Sequence, residues 1–228
     1  MERQIFNMEE ILMVKKTSNY GQVQPQNWTK DNIVMAFAGI TGEKTKPTLL
    51  LHSCCGPCSS AVIERLATDY NITVFFYNPN ITNVEEYEKR KKTQIQFIDS
   101  YNKLNAETHI DFLEGEYEPL VFYKMTEGYS EEPEGGRRCT ICFEMRLKKT
   151  AMVAKKKGFQ LFGTTLTVSP HKNYPLISAI GQRLQREVDV EFLDLDFKKK
   201  AGYQRSIELS KEYDLYRQNY CGCEYSER

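Results

Sequence analysis

The run Thr48-Leu49-Leu50-Leu51-His52 is apolar on successive residues instead of alternate ones, so a strand formed here must be covered on both of its faces. A sheet with one wet side is excluded. Similar short runs recur at Ile72 to Tyr77, His109 to Leu113, Phe159 to Thr164 and Val190 to Leu195. Between them lie helical stretches at Ser59 to Asp69, Glu85 to Leu104, Cys139 to Lys157, Asn173 to Glu187 and Lys199 to Tyr213. Strands alternating with helices predict an α/β fold, a doubly wound parallel sheet with helices on both faces. In the stretch Glu85 to Leu104 the spacing predicts Ile95, Ile98, Tyr101 and Leu104 inward. Residues 1–47 are polar and uneven, closing on Thr41-Gly42-Glu43-Lys44-Thr45-Lys46-Pro47, and read as an N-terminal extension to an α/β metalloenzyme domain at 48–228.

The first strand runs into Cys54-Cys55-Gly56-Pro57-Cys58, and a second pair, Cys139 and Cys142, opens a helix. Cys221-Gly222-Cys223 follows near the last residue, so all seven cysteines fall into three tight groups. In a doubly wound sheet, ligands gather beyond the carboxyl ends of the strands. The loops after three strands carry Cys54, Cys55 and Cys58, then Tyr77-Asn78-Pro79-Asn80, then the segment from Thr164 to Lys172. The first of these is where nucleotide-binding relatives of the architecture place a glycine-rich phosphate loop, and here thiols replace it.

Composition narrows the surroundings. At 228 residues a core can form without staples. No charged stretch followed by an apolar one opens the sequence, and no apolar run approaches the ~20 residues needed to cross a bilayer. A cytoplasmic protein with no membrane partner is expected. In that reducing compartment paired cysteines point to metal binding or catalysis, not to structural bridges. Lysine plus arginine equals aspartate plus glutamate at 31 each, so no global field steers the chain to nucleic acid and any such binding needs a local patch. The runs Lys89 to Lys92, Lys155 to Lys157 and Lys198 to Lys200 are candidates, although such runs are more often solvated helix faces.

Thiolates are natural ligands for zinc and for iron-sulfur clusters, and a helix N-terminus favours the anion. Zinc sites prefer spaced pairs, and adjacent Cys54-Cys55 makes a poor tetrahedral bite. Adjacent ligands suit a cluster better because each can reach a different iron, although the spacing matches no common ferredoxin. The residues by themselves leave three readings open: an iron-sulfur cluster, structural zinc and a metal-free thiol enzyme. Cys221 and Cys223, one residue apart, would close a strained and readily reduced ring, for which Gly222 supplies backbone freedom. Ordinary thiols with no redox role are the plain alternative.

Several ordered motifs coincide: His52-Ser53-Cys54-Cys55-Gly56-Pro57-Cys58, Phe76 to Ile81, Glu86-Tyr87 with Arg90, Arg138-Cys139 with Cys142, Thr164 to Lys172, and Tyr220-Cys221-Gly222-Cys223. From about Leu49 to Tyr225 the sequence resembles the QueH family of epoxyqueuosine reductases. The resemblance implies an adenine-nucleotide alpha-hydrolase-like fold that uses no ATP. It implies reductive removal of the epoxide oxygen from epoxyqueuosine at the tRNA wobble position, the last step of queuosine synthesis. It also implies a 4Fe-4S cluster on Cys54, Cys55, Cys139 and Cys142, with Cys221 and Cys223 as a redox-active pair. The family is associated with a second, mononuclear iron, for which Cys58 is the first candidate ligand here.

Opening an epoxide and releasing its oxygen as water takes two electrons, two protons and a Lewis acid or proton donor. His52, Tyr77 and His171 are the candidate donors, and an external electron donor is required. The base of an anticodon-loop substrate needs aromatic faces, for which Tyr77, Tyr87, Tyr129 and Tyr174 are candidates, with Asn78 and Asn80 as further substrate contacts. Arg90, Arg137, Arg138 and Lys172 are the candidate phosphate contacts. Gly128 to Arg138 reads as a mobile loop able to close over substrate. Two other readings remain at this point, a non-enzymatic zinc-binding RNA adaptor and a thiol-dependent tRNA sulfur transferase, and the second lacks a phosphate loop.

Overall fold

A computed structural model describes residues 46–226. The expected N-terminal extension, apart from Lys46 and Pro47, lies outside the described residues. Five strands, β1 (Thr48–His52), β2 (Asn71–Phe76), β3 (Asp111–Glu114), β4 (Leu161–Thr164) and β5 (Glu191–Phe192), form one sheet in the order β3-β2-β1-β4-β5. Every pairing is parallel, with Leu50 of β1 beside Thr73 and Phe162. Six helices among the described residues surround it: α1 (Gly56–Leu66), α2 (Val84–Leu104), α3 (Pro119–Met125), α4 (Arg137–Lys157), α5 (Tyr174–Val188) and α6 (Gly202–Glu212). None is long and apolar enough to cross a membrane.

The continuous apolar strands have two faces to bury, and they do. Leu49, Leu51, Ile72 and Val74 pack against Val62, Ile63 and Leu66 of α1 and Phe97 and Ile98 of α2. On the opposite face Leu50, Phe75 and Phe162 pack against Phe143, Leu147 and Ala151 of α4 and Ile177, Ile180 and Leu184 of α5. The strand order reverses between β1 and β4, and the crevice at that switch point is where the loops after both strands emerge.

Two expectations are corrected. Helix α1 begins at Gly56, not Ser59, because Pro57 in its first turn has no N–H to leave unsatisfied. On α2, Ile98 and Tyr101 face inward as expected, but Ile95 and Leu104 are exposed, Leu104 at 72%. Its inner face is completed by Tyr87, Arg90, Gln94 and Phe97. Polar residues belong there because the first half of α2 lies beside the thiol turn: the Gln94 side-chain oxygen accepts from the Ser53 and Ser59 hydroxyls at 2.7 and 3.0 Å. The segment Gly128 to Arg138 leads into α4. One guanidinium nitrogen of Arg138 donates to the carbonyls of Tyr129, Ser130 and Glu132 at 2.8, 2.9 and 2.6 Å.

Candidate metal and thiol site

Strand β1 ends at His52, and the next turn presents three thiols at the amino end of α1. The sulfurs of Cys54, Cys55 and Cys58 all lie within 4.8 Å of one another, with Cys54 and Cys55 3.8 Å apart. Crowding decides their ionisation. Hydrogen bonds from Cys55 and then Cys58 lower the pKa of Cys54 well below the ordinary thiol value. Burial pushes Cys55 up to about 12, and Cys58 is raised by hydrogen bonding to Cys54 and Cys55. The turn thus holds one negative charge readily and a second or third only beside a cation. Three sulfurs set this close could hold a metal ion. The side-chain amide of Gln218 also donates to the Cys55 sulfur at 2.9 Å.

Helix α4 brings Cys139 and Cys142, both buried, to a small cavity shared with Asn80, Cys221 and Cys223. The Gly135 N–H donates to the Cys139 sulfur at 3.2 Å, a bond that stabilises an anionic sulfur. Burial pushes Cys142 up to about 12. Both polar atoms of the Asn80 side chain are buried there without a partner, which is costly unless something else occupies their bonding directions. The expected four-cysteine set is therefore seen in two parts, because Cys54 and Cys55 come from the β1 turn and Cys139 and Cys142 from α4. Arg146 lines the cavities on both sides. It is fully buried, its Nε donates to the Cys142 carbonyl at 3.2 Å, and one terminal nitrogen has no partner. A cation placed between two groups of thiols offsets their negative charge.

A second, wider cavity of about 340 Å³ is lined by Cys54, Cys58, His171, Lys172 and Cys221, with Tyr203 at its side. Lys172 reaches the Cys221 sulfur at 3.0 Å and Glu134 at 3.3 Å. Burial works against its ammonium, but the charge and hydrogen bond of the Cys221 sulfur together with Glu134 outweigh it and the pKa is raised. Cys223 is buried, which pushes its thiol up, and it sits 3.4 Å from the Ser226 hydroxyl. All seven cysteines are free.

The remaining expected site residues separate. Of the three candidate proton donors, His171 is exposed at the wide cavity. His52 is sealed in the sheet: its Nε2 donates to the Tyr77 carbonyl at 3.2 Å and its Nδ1 accepts from the Thr164 hydroxyl at 3.0 Å. Burial lowers its pKa to about 3, so it is neutral. Tyr77 stacks on Phe75 in the core, and Tyr87 is buried against Phe76 and Tyr117. Asn78 donates to the Ser53 carbonyl at 2.9 Å and braces the thiol turn. Arg90, Arg138 and Lys172 form no surface patch, being 1%, 2% and 9% exposed. Arg90 donates to Glu86 at 2.6 Å and to the carbonyls of Cys221 and Tyr220 at 3.1 and 3.3 Å. Sequence reasoning missed Arg146, Gln218 and Tyr203. Arg146 had a signal, since it follows Cys139 and Cys142 at helical spacing on the core face of α4.

Residues 49–228 match the family model described as Epoxyqueuosine reductase QueH. The chain belongs to the QueH family. A protein named Epoxyqueuosine reductase QueH from Streptococcus pyogenes serotype M1 is 44% identical over 97% of this chain and 84% of its own length. Proteins of the same name from Staphylococcus epidermidis and Thermotoga maritima are 45% and 38% identical, over 79% and 78% of this chain and 76% and 90% of theirs. The chain is thus an oxidoreductase. The Streptococcus match also extends through most of residues 1–45, beyond the span of the family model.

Proposed function

We propose that this enzyme reduces epoxyqueuosine to queuosine at the wobble position of tRNA, with Cys54, Cys55, Cys139 and Cys142 holding a 4Fe-4S cluster and Cys58 available to a second iron. The observation that carries the reading is the meeting of three groups at one cavity. Cys54 and Cys58 from the thiol turn, Cys221 from the C-terminal pair, and the titratable His171 all line it in a chain of this family. The donor chemistry fits such a centre, with close-set thiols that ionise together only beside a cation, N–H groups directed at Cys55 and Cys139, and unpartnered Asn80. When bound, it supplies single electrons and a Lewis acid for oxygen.

The reaction consumes two electrons and two protons and releases the epoxide oxygen as water, leaving an alkene. His171, which lines the cavity, is the proposed proton donor. Lys172 and Arg146 hold positive charge beside the thiols, favouring their anions. Tyr203, which lines the cavity and is 39% exposed, is the proposed aromatic face for a splayed anticodon base. Phosphate contacts are proposed for the exposed Lys199 and Lys200, which follow β5; their neighbour Lys198 donates to the Lys172 carbonyl at 2.9 Å. Lys155 to Lys157 close α4 at the amino ends of the strands, the opposite side of the sheet.

Anaerobic purification tests the centre. The expected result is a brown protein containing iron and sulfide, bleached by serine at Cys54, Cys55, Cys139 or Cys142, that converts epoxyqueuosine in tRNA to queuosine by nucleoside mass analysis. A colourless protein with stoichiometric zinc and no iron overturns the metal assignment and favours the RNA adaptor.

A further inference from the structure

Cys221 and Cys223 occupy unlike positions. Both line the small cavity, but only Cys221 also lines the wider one of about 340 Å³, and Cys223 is 6% exposed. The Cys221 sulfur lies 3.0 Å from the Lys172 ammonium, which is itself held by Glu134 at 3.3 Å. The Cys223 sulfur faces inward among Phe122 and Cys142. Backbone anchors hold the segment that carries both: Arg90 donates to the Tyr220 and Cys221 carbonyls, and the Thr82 N–H donates to the Gly222 carbonyl at 3.2 Å. Gly222 between them has a left-handed backbone, φ 110°, which glycine adopts without a Cβ penalty.

We infer that the pair works with a fixed polarity, in which Cys221 is the sulfur that exchanges with an external dithiol and Lys172 is the residue that positions and stabilises its anion. The inference rests on the redox-pair reading of Cys221 and Cys223. Starting from the Cys221–Cys223 disulfide, a thiolate of the external dithiol attacks the Cys221 sulfur, the S–S bond breaks, and Cys223 leaves as the thiolate. The second thiolate of the donor then attacks its own sulfur in the mixed disulfide, releasing Cys221 as a thiolate beside Lys172. The donor is oxidised to its disulfide and the pair gains two electrons. Attack at the alternative sulfur is blocked by burial. An ammonium beside the departing Cys221 sulfur accelerates the second step because a stabilised thiolate leaves faster.

The test uses the full chain, in which both cysteines fall in one tryptic peptide, Gln218 to Arg228, with no other cysteine. Wild-type protein is oxidised and the peptide weighed for loss of two hydrogens. Cys223→Ser and Cys221→Ser proteins are then exposed to glutathione disulfide, and the glutathionyl adduct on that peptide is followed in time. The expected result is closure in the wild type, rapid adduct formation at Cys221 in C223S, and at least about tenfold slower formation at Cys223 in C221S. Adding Lys172→Met to C223S slows adduct formation about tenfold, the scale of losing one hydrogen bond to a charged group, whereas Lys172→Arg retains most of the rate. Circular dichroism confirms that each variant is folded. Equal rates at the two cysteines, or no effect of K172M, overturn the polarity while leaving the pair intact. A wild-type peptide that never closes overturns the redox-pair reading itself.

Discussion

Replacing Arg90 with methionine removes a charge whose partners are far apart in sequence. In the folded chain its guanidinium holds Glu86 one turn away on α2, and the carbonyls of Tyr220 and Cys221, 130 and 131 residues away. Methionine fills much of the same apolar stem and makes none of these bonds. Glu86, whose side chain is 11% exposed, keeps the Tyr216 hydroxyl as a donor at 3.0 Å but loses its counter-charge. Removing one partner of a buried pair costs about 3–5 kcal/mol. The retained Tyr216 bond puts this case near the lower end, about 3 kcal/mol. In a domain of this size that lowers Tm by roughly 6–12 °C, and the urea midpoint falls by about 1–2 M for a slope near 2 kcal/mol/M. Urea unfolding followed by far-UV circular dichroism measures it. A second measurement separates cause from bulk. Glu86→Gln added to R90M removes the stranded charge and should restore about 1–2 kcal/mol, while alkylation of the Gln218 to Arg228 peptide stays faster than in the wild type because its anchor is still missing. A cost below about 1 kcal/mol for R90M, or no recovery on adding E86Q, would refute the account of Arg90 as a buried clamp.

Two further outcomes follow from the same geometry. Asn80→Ala deletes two buried polar atoms that have no partner, so the variant should unfold at the same temperature as the wild type or slightly above it while retaining less iron; loss of stability without loss of iron would make Asn80 a scaffold residue. Gly56→Ala places a methyl group 2.8 Å from the Thr93 carbonyl oxygen, so α1 must move off α2 at a cost of about 1–3 kcal/mol, visible as a lower Tm, and an unchanged Tm would show that the close approach is not required.

The sequence alone determined the layer structure and the whereabouts of the chemistry. Runs such as Leu49 to Leu51 can be satisfied only by cover on both faces, and helices between strands leave a parallel sheet as the solution, which puts Cys54, Cys55 and Cys58 at its carboxyl edge. Local periodicity carries that information, so it survives without a structure. What local patterns do not hold is the identity of a side chain's distant partner. Arg90, Arg138 and Lys172 have the composition of phosphate contacts, but Arg90 and Arg138 turn inward onto backbone carbonyls and Lys172 onto the Cys221 sulfur. His52, Tyr77 and His171 look alike as titratable residues on strand-end loops, and only packing separates the sealed imidazole and the core phenol from the exposed histidine. Arg146 gains its place between two groups of thiols only when α4 docks on the sheet. Residue type fixes what a group can bond to, and tertiary structure decides which bond forms, because burial removes water as the alternative partner.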